Sequence, residues 1–401
     1  MSRWPLKSIG DICEVNPRLP RGHRIPDDQI VSFVPMAAVD EVSGTIQDRQ
    51  ARSFYEVKKG YTHFKNADVL FAKITPCMEN GKAAIASELV GGLGFGSTEF
   101  HVLRAKEEVL PEWLFYFVRQ PAFRSEAKRN FTGTAGQQRV PTTFLSSAAI
   151  PVPPLHEQRR IVDLLSRAEG IVRLRREAEQ KAAELIPALF LDMFGDPATN
   201  PKGWPVRNVS DFVSRFEGGK NIQAGSENGS PYRILKVSAA TSGTYREPES
   251  KPSPDGYSPP ASHIVRAGDM LFSRANTEEL VGATAIVEKT DGKTLLPDKL
   301  WRFVWAEPVE PAYMHALFQS LFVRREIGQL SSGTSASMRN ISQGKLFHLQ
   351  LPVAPYSEQK AFADRAATVR SILSQQSAAT AKAQATFDAL LASVFNDRGG
   401  R

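Results

Sequence analysis

A chain of 401 residues is long enough for two or three domains, each able to bury its own core, and its net charge of +7 permits a polyanion partner without requiring one. The two cysteines, Cys13 and Cys77, lack paired-ligand spacing, which excludes a disulfide framework and a cysteine zinc site and fits a reducing cytoplasm. The start, Met1-Ser2-Arg3-Trp4, has no signal-peptide stretch, and no apolar run of about 18 residues offers a membrane span, so a soluble, cytoplasmic protein is expected.

Residues 1 to about 150 read as mixed α/β, with short apolar runs at Ile30 to Val34 and Asp68 to Ile74 punctuated by Gly, Pro and Asn. The run Gly91-Gly92-Leu93-Gly94-Phe95-Gly96 has the spacing of a nucleotide loop, but no βαβ unit follows it and Ser97 to Leu103 looks like a strand, so a hairpin or close-packed turn is expected. One helix is predicted from Leu110 through Lys128, opened by Pro111-Glu112. Between Arg119 and Arg139 the cations Arg119, Arg124, Lys128, Arg129 and Arg139 face a single acid, Glu126. The loop Thr132 to Arg139 sets small residues beside amides and a guanidinium, types that read adenine and guanine edges in a major groove.

After Pro154 the composition turns helical. Apolar residues recur at heptad spacing as Ile161, Leu164, Ala168, Ile171, Ala178, Ala182, Leu185 and Leu189, with Pro187 expected to kink the helix near its end. The chain then repeats itself about 200 residues on, which marks a duplicated domain. Trp4-Pro5-Leu6-Lys7 recurs as Trp204-Pro205-Val206-Arg207, and Asp68-Val69-Leu70-Phe71-Ala72-Lys73 as Asp269-Met270-Leu271-Phe272-Ser273-Arg274. Gly133-Thr134 with Arg139 answers to Gly333-Thr334 with Arg339, while Pro248 to Ser262 is an insert expected to form a surface loop. A second helical run keeps the period with Phe362, Val369, Ile372, Ala379, Ala383 and Leu390. A helix of about 35 residues is roughly 50 Å long. If both copies leave their domain alike, the second helix buries its stripe by running back beside the first, which predicts an inverted, pseudo-twofold pair of domains.

No catalytic constellation or metal-ligand spacing emerges. Asp27 with Glu56 and Lys58 has only the loose spacing of a nuclease site, and the second copy has no equivalent. Candidate DNA contacts are Lys73, Thr75, Arg129, Gln137, Gln138 and Arg139 in the first copy, and Arg274, Asn276, Ser335, Ser337, Arg339 and Asn340 in the second. Candidates for helix pairing or partner docking are Glu157, Gln158, Ile161, Leu164, Ala168, Ile171, Leu185 and Leu189, then Glu358, Gln359, Val369, Ile372 and Leu390.

The duplicated Pro-x-Pro-Pro-Leu-x-Glu-Gln element at Pro151 to Gln158, its degraded copy at Pro352 to Gln359, the Phe194-Gly195-Asp196-Pro197 junction and the segment Gly94 to Leu103 resemble the specificity subunits of type I restriction-modification systems. The resemblance covers the whole chain. It implies an α/β (α+β) fold with two target-recognition domains in inverted pseudo-twofold arrangement, separated by two long antiparallel coiled-coil helices. The divisions expected are 1–154 and 195–354 for the recognition domains, and 155–194 and 355–401 for the helices. Such a subunit is non-catalytic alone: each domain reads half of a bipartite target on double-stranded DNA, and the helices set the spacer and dock two modification subunits. S-adenosylmethionine sits on those partners, and ATP and Mg²⁺ on a restriction subunit that joins in some systems. A self-contained DNA methyltransferase or nuclease, and a helical scaffold that binds only protein, are the alternatives.

Overall fold

The computed structural model describes residues 4–395 apart from 21, 135, 228, 336 and 337. The chain divides into unit 1, residues 1–178 with 377–401, and unit 2, residues 179–376. Among the described residues no helix is long and apolar enough to cross a membrane.

In unit 1 a four-stranded antiparallel sheet runs in the order Cys13–Val15, Phe100–Ala105, Val69–Ala72, Ala83–Ile85. Val69 and Phe71 point into a core shared with the helix Pro111–Arg119, whereas Leu70 points to the other side, against Val34, Phe64 and Val102. Burial of both faces explains why this strand reads as an unbroken apolar run rather than an alternation. A second four-stranded sheet, Gln50–Ser53, Ile30–Val34, Leu93–Gly96, Thr62–Lys65, lies over that other face. The glycine-rich run supplies a turn at Val90–Gly92 and then a strand of this sheet. A Cβ on Gly94 would lie 2.1 Å from Phe64, so close packing demands that glycine.

Unit 2 repeats the plan. Its four-stranded sheet is Val213–Gly218, Leu300–Trp305, Met270–Ser273, Thr284–Ile286, with Met270 and Phe272 toward the helices and Leu271 toward Leu235, Ala239 and Val265. The insert expected as a loop begins as the strand Ser250–Pro252, which pairs with Arg233–Leu235 and buries Ser253, because the second sheet of the repeat continues through it. Each unit also pairs its opening strand with the strand before its long helix, Leu6–Ser8 with Ala149–Pro151 and Val206–Asn208 with Gln350–Pro352.

The single helix predicted from Leu110 to Lys128 is two, Pro111–Arg119 and Pro121–Arg129, because Pro121 holds Gln120 extended and opens the second helix at its first turn. Unit 2 makes the same break at Ser320, whose hydroxyl accepts from the Val323 N–H.

The first long helix spans Leu155–Ala183 and a second segment spans Leu185–Phe194. The break falls at Glu184, since the Pro187 ring excludes the carbonyl four residues before it and, in the first turn of the new helix, lacks an N–H that no partner needs. The buried stripe in unit 1 is Ile161, Leu165, half-buried Ala168, Val172. The expected Leu164 and Ile171 are instead 44% and 52% exposed, and Leu185 also faces outward while Ile186 and Leu189 pack in unit 2. Adjacent apolar pairs, Leu164-Leu165, Ile171-Val172 and Leu185-Ile186, allow either phase of the heptad; packing on the Pro111–Arg119 helix selects one. The last helix spans Tyr356–Phe395, with Phe362 and Ala366 in the core of unit 2 and Phe387 and Leu391 in the core of unit 1. Val369 and Leu390 are half-buried, but Ile372 is exposed, one position out of phase with Leu373. Within unit 1 the two helical segments run antiparallel: Arg176 reaches Gln384, while Phe395 packs on Trp113, which bonds Pro151 just before the first helix.

Gln158 and Gln359 are buried inside their own units, which removes them from any docking surface. Gln158 Oε1 accepts from the Leu110 N–H at 2.9 Å, and its Nε2 donates to the Glu108 and Pro153 carbonyls at 2.8 Å each. Gln359 accepts from the Glu310 N–H and donates to the Ala354 carbonyl. The element that these glutamines close is thus a splice between globular module and helix. Glu157, whose carboxylate pairs with Arg160, and the exposed Glu358 sit beside them. The Phe194 junction is similarly tied: Trp204 Nε1 donates to the Phe194 carbonyl, Asn200 and Trp204 exchange two hydrogen bonds, and Gly195 at φ +77° leaves no room for a Cβ beside Pro201.

Gln158→Ala strands one buried N–H and two carbonyls, so denaturant unfolding is expected to show a loss of about 2–4 kcal/mol, against less than about 1 kcal/mol for exposed Arg160→Ala. Equal effects would contradict the splice. A second prediction concerns acid. His101 is 2% exposed, its Nε2 lies 2.8 Å from the Val140 carbonyl, and burial pushes its pKa down to about 4. The folded form therefore holds a neutral imidazole, and the unfolded chain, titrating near pH 6.5, takes up the proton first. Stability carried by neutral His101 is complete above about pH 6.5 and is lost as the pH falls toward 4, so His101→Gln should flatten the fall of the urea midpoint across that window.

Candidate nucleic-acid interface

In unit 1 the segment after the strand Val69–Ala72 meets the loop 130–140 edge to edge. The Val140 N–H donates to the Lys73 carbonyl, the Thr75 N–H to the Gln138 carbonyl, and Thr132 and Arg139 exchange both backbone hydrogen bonds. Gly133, at φ +114°, makes the turn that brings Gln137 back over it. Lys73, Thr75, Gln137, Gln138 and Arg139 are therefore gathered into one structure, with Gln137 exposed and Lys73 and Gln138 half-buried.

Arg139 departs from its expected role. Its guanidinium donates through Nε and Nη2 to the Glu99 carboxylate, at 2.9 and 2.7 Å, and through Nη1 to the Gln137 carbonyl at 2.9 Å. Hydrogen bonds from Arg139 hold the Glu99 carboxyl below the usual carboxylate range. A guanidinium so engaged organises the loop and has little left for a base. The basic segment before it is largely structural as well. Arg119 pairs with Glu169 on the long helix at 2.6 Å, and Arg124 donates to the Arg119 and Glu79 carbonyls, with burial lowering its pKa. Lys128 pairs with Glu79, leaving Arg129 exposed and, among the described residues, without an ion pair.

Unit 2 builds the same structure as a three-stranded sheet, Ala275–Asn276, Met338–Asn340, Ser332–Ser335. The Ile341 N–H donates to the Arg274 carbonyl, Ala275 faces Asn340 and Asn276 faces Arg339. Arg274 donates Nε to the Asp298 carbonyl and lies 5.4 Å over the Trp301 ring. The Asn276 amide bonds Ser273 Oγ and the Thr277 N–H. Ser335 faces Met338 in the hairpin, and Ser337 lies outside the described residues.

The register corrects the pairing of Arg139 with Arg339. Because Val140 bonds the residue that corresponds to Arg274, its counterpart is Ile341; Arg139 then matches Asn340, and Gln138 matches Arg339. The hairpin of unit 2 is one residue longer, from Ser332 to Asn340 against Thr132 to Arg139, so the motif Gly-Thr with a downstream Arg aligns by spacing and misaligns in space. Glu99 likewise corresponds to Lys299, since each carbonyl accepts the N–H of Lys73 or Arg274. Sequence reading passed over Glu99 and Lys299, which lie one residue before strands and acquire meaning only from the loop they face.

Among the described residues no group of three or more His, Cys, Asp or Glu side chains is placed to hold a metal. The loose nuclease pattern has a structural explanation: Lys58 pairs with Asp27 at 2.8 Å, and Glu56 accepts from the Ser53 N–H in a capping box.

Residues 1–184 match the family model of the type I restriction modification DNA specificity domain. The chain is 26% identical to the EcoEI specificity subunit of Escherichia coli across 89% of this chain and 76% of that protein. Against the EcoAI specificity subunit of Escherichia coli it is 40% identical, across 40% of this chain and 27% of that protein. In fold it is similar to a chain from a structure of type I restriction-modification complex assembly and conformational transition, with a TM-score of 0.62, 21% identity and coverage of 98% and 97%. It is also similar to the type I S subunit from M. genitalium, with a TM-score of 0.53, 11% identity and coverage of 98% and 96%. With the duplicated framework and the diverged loops, these likenesses give residues 1–184 the type I restriction modification DNA specificity domain and make the chain similar over 89% of its length to a type I restriction enzyme specificity subunit.

Proposed function

We propose that unit 1 and unit 2 each read one half of an asymmetric, bipartite site on double-stranded DNA. The observation that supports this is one framework carrying two different sets of loop side chains: Lys73, Thr75, Glu99, Gln138 and Arg139 correspond to Arg274, Asn276, Lys299, Arg339 and Asn340. A conserved frame with substituted polar groups is what two related modules need in order to recognise different base edges. Exposed Arg129 and half-buried Lys73 and Arg274 supply phosphate contacts that position each unit.

The long helices set the unread spacing between the halves and dock two copies of the modification subunit. Exposed apolar side chains along them, Leu164, Ile171, Leu174, Leu185 and Ile372, supply contact surface for that docking. The modification subunit carries S-adenosylmethionine and methylates adenine N6 after flipping the base from the stack. ATP and Mg²⁺ belong to a restriction subunit where one joins. Double-stranded DNA and the partner subunits are thus the ligands of this chain, and the chemistry is theirs.

Incubated with duplex DNA, S-adenosylmethionine and Mg²⁺, the purified chain is expected neither to methylate nor to cut; adding the modification subunit should produce methylation at one bipartite motif. Methyl transfer or cleavage by the chain alone would establish the self-contained enzyme instead. Inserting four residues, about one helical turn, after exposed Ala178 should change the preferred spacer and leave both half-site sequences intact. An unaltered spacer would mean that the helices do not act as a ruler.

A further inference from the structure

Across the joined segments of each unit, side chains alternate between two faces. In unit 1 Arg139 and Ile74 share one of them, and there Arg139 is bound to Glu99. The opposite face carries Thr75 and Gln138, whose backbones are linked by the Thr75 N–H to the Gln138 carbonyl. In unit 2 the corresponding face carries Asn276 opposite Arg339. Thr75 is engaged with Glu79 and Asn276 with Ser273 and Thr277, so the first member of each pair is anchored to its own loop. The second member is uncommitted. Among the described residues the Gln138 amide has no hydrogen bond, and Arg339 has neither an ion pair nor a side-chain hydrogen bond, with its Nε–H buried and lacking an acceptor.

We propose that the base-reading side chains at this place in the two units are Gln138 and Arg339, one structural position occupied by two chemistries. This rests on the reading that each unit recognises half of a DNA site. An amide offers one acceptor and two donors, matching adenine N6 and N7; a guanidinium offers paired donors, matching guanine O6 and N7. Unit 1 therefore specifies adenine through Gln138, and unit 2 specifies guanine through Arg339. Arg139, although it is the arginine that sequence spacing sets against Arg339, is a positioning residue that acts through Glu99 and the Gln137 carbonyl.

The test uses the full chain reconstituted with the modification subunit, and reads the methylated motif from a library of random-sequence duplexes together with binding as a function of salt. Arg339→Gln is expected to relax or change one guanine in one half-site, with discrimination at that position falling about tenfold or more, and to leave the other half-site unaltered. Arg339→Lys keeps the charge and loses the paired donors, so it should relax the same position while the salt dependence of binding stays near that of the parent chain. Gln138→Ala should relax an adenine in the other half-site. Arg139→Ala should lower the melting temperature and, by loosening the loop that carries Gln138, relax no motif position beyond the one that Gln138→Ala relaxes. Arg339→Gln that weakens binding uniformly, with every motif position intact, would make Arg339 a phosphate contact and overturn the proposal, as would an Arg139→Ala chain that relaxes a base position which Gln138→Ala leaves intact. If the unsubstituted complex shows no bipartite motif at all, the parent reading falls and this inference with it; a bipartite motif indifferent to Gln138 and Arg339 defeats this inference alone.

Discussion

A proline-rich connection with too few donors is the constraint on which each unit depends. Between Ala149 and Leu155 the backbone passes Pro151, Pro153 and Pro154, which have no N–H to offer, while their carbonyls must still be satisfied when buried. Side chains from the globular core and from the first turn of the long helix supply what the backbone lacks. Trp113 Nε1 donates to the Pro151 carbonyl and Gln158 Nε2 to the Pro153 carbonyl. In unit 2 the same joint is closed by Gln359 on the Ala354 carbonyl and by the Ala354 N–H donating to the Tyr313 hydroxyl, whose pKa burial raises to about 12. The long helix thus leaves its module tied to the core by hydrogen bonds at its first turn.

The central sheet of each unit applies a second constraint. Buried on both faces, it accommodates charge only where charge is compensated. Asp68 receives two hydrogen bonds from Arg104 at 2.9 and 2.7 Å as well as the Lys65 N–H. In the copy Asp269 receives the Arg266 N–H and one bond from Arg302, which also engages Glu217. The aspartate persists because it closes the turn before the strand; its arginine comes from a different position on the neighbouring strand, because what matters is a donor fork at that point and not the residue number that delivers it. Such tolerance lets two copies drift in sequence while the frame beneath the loops stays the same.

Much of this was legible in the chain. Duplication was plain from motifs that carry structural duties, the aspartate turn, the buried strand and the glutamine splice, since such duties resist substitution in both copies. Strand and helix locations followed from composition and from proline and glycine punctuation. Lys73, Thr75, Gln137, Gln138 and Arg139 stood out by residue type, but their meeting in one structure was not legible, because it depends on backbone pairing between segments about 65 residues apart. What misled was spacing. Leu164 and Ile171 satisfy a heptad as well as Leu165 and Val172 do, and Arg139 and Arg339 follow their Gly-Thr pairs at the same interval.

By itself, then, the sequence determined that there are two related α/β modules joined by long amphipathic helices, that no metal or catalytic cluster is encoded in recognisable spacing, and that variation concentrates in polar loops. These are consequences of local pattern, repeated twice. Tertiary structure alone decided which face of each helix is buried, that Gln158 and Gln359 turn inward, that Glu99 captures Arg139, and that Gln138 stands where Arg339 does. Each of those outcomes depends on a partner remote in the chain or on a one-residue change in hairpin length, and a periodicity or a motif carries no information about the atoms it will meet.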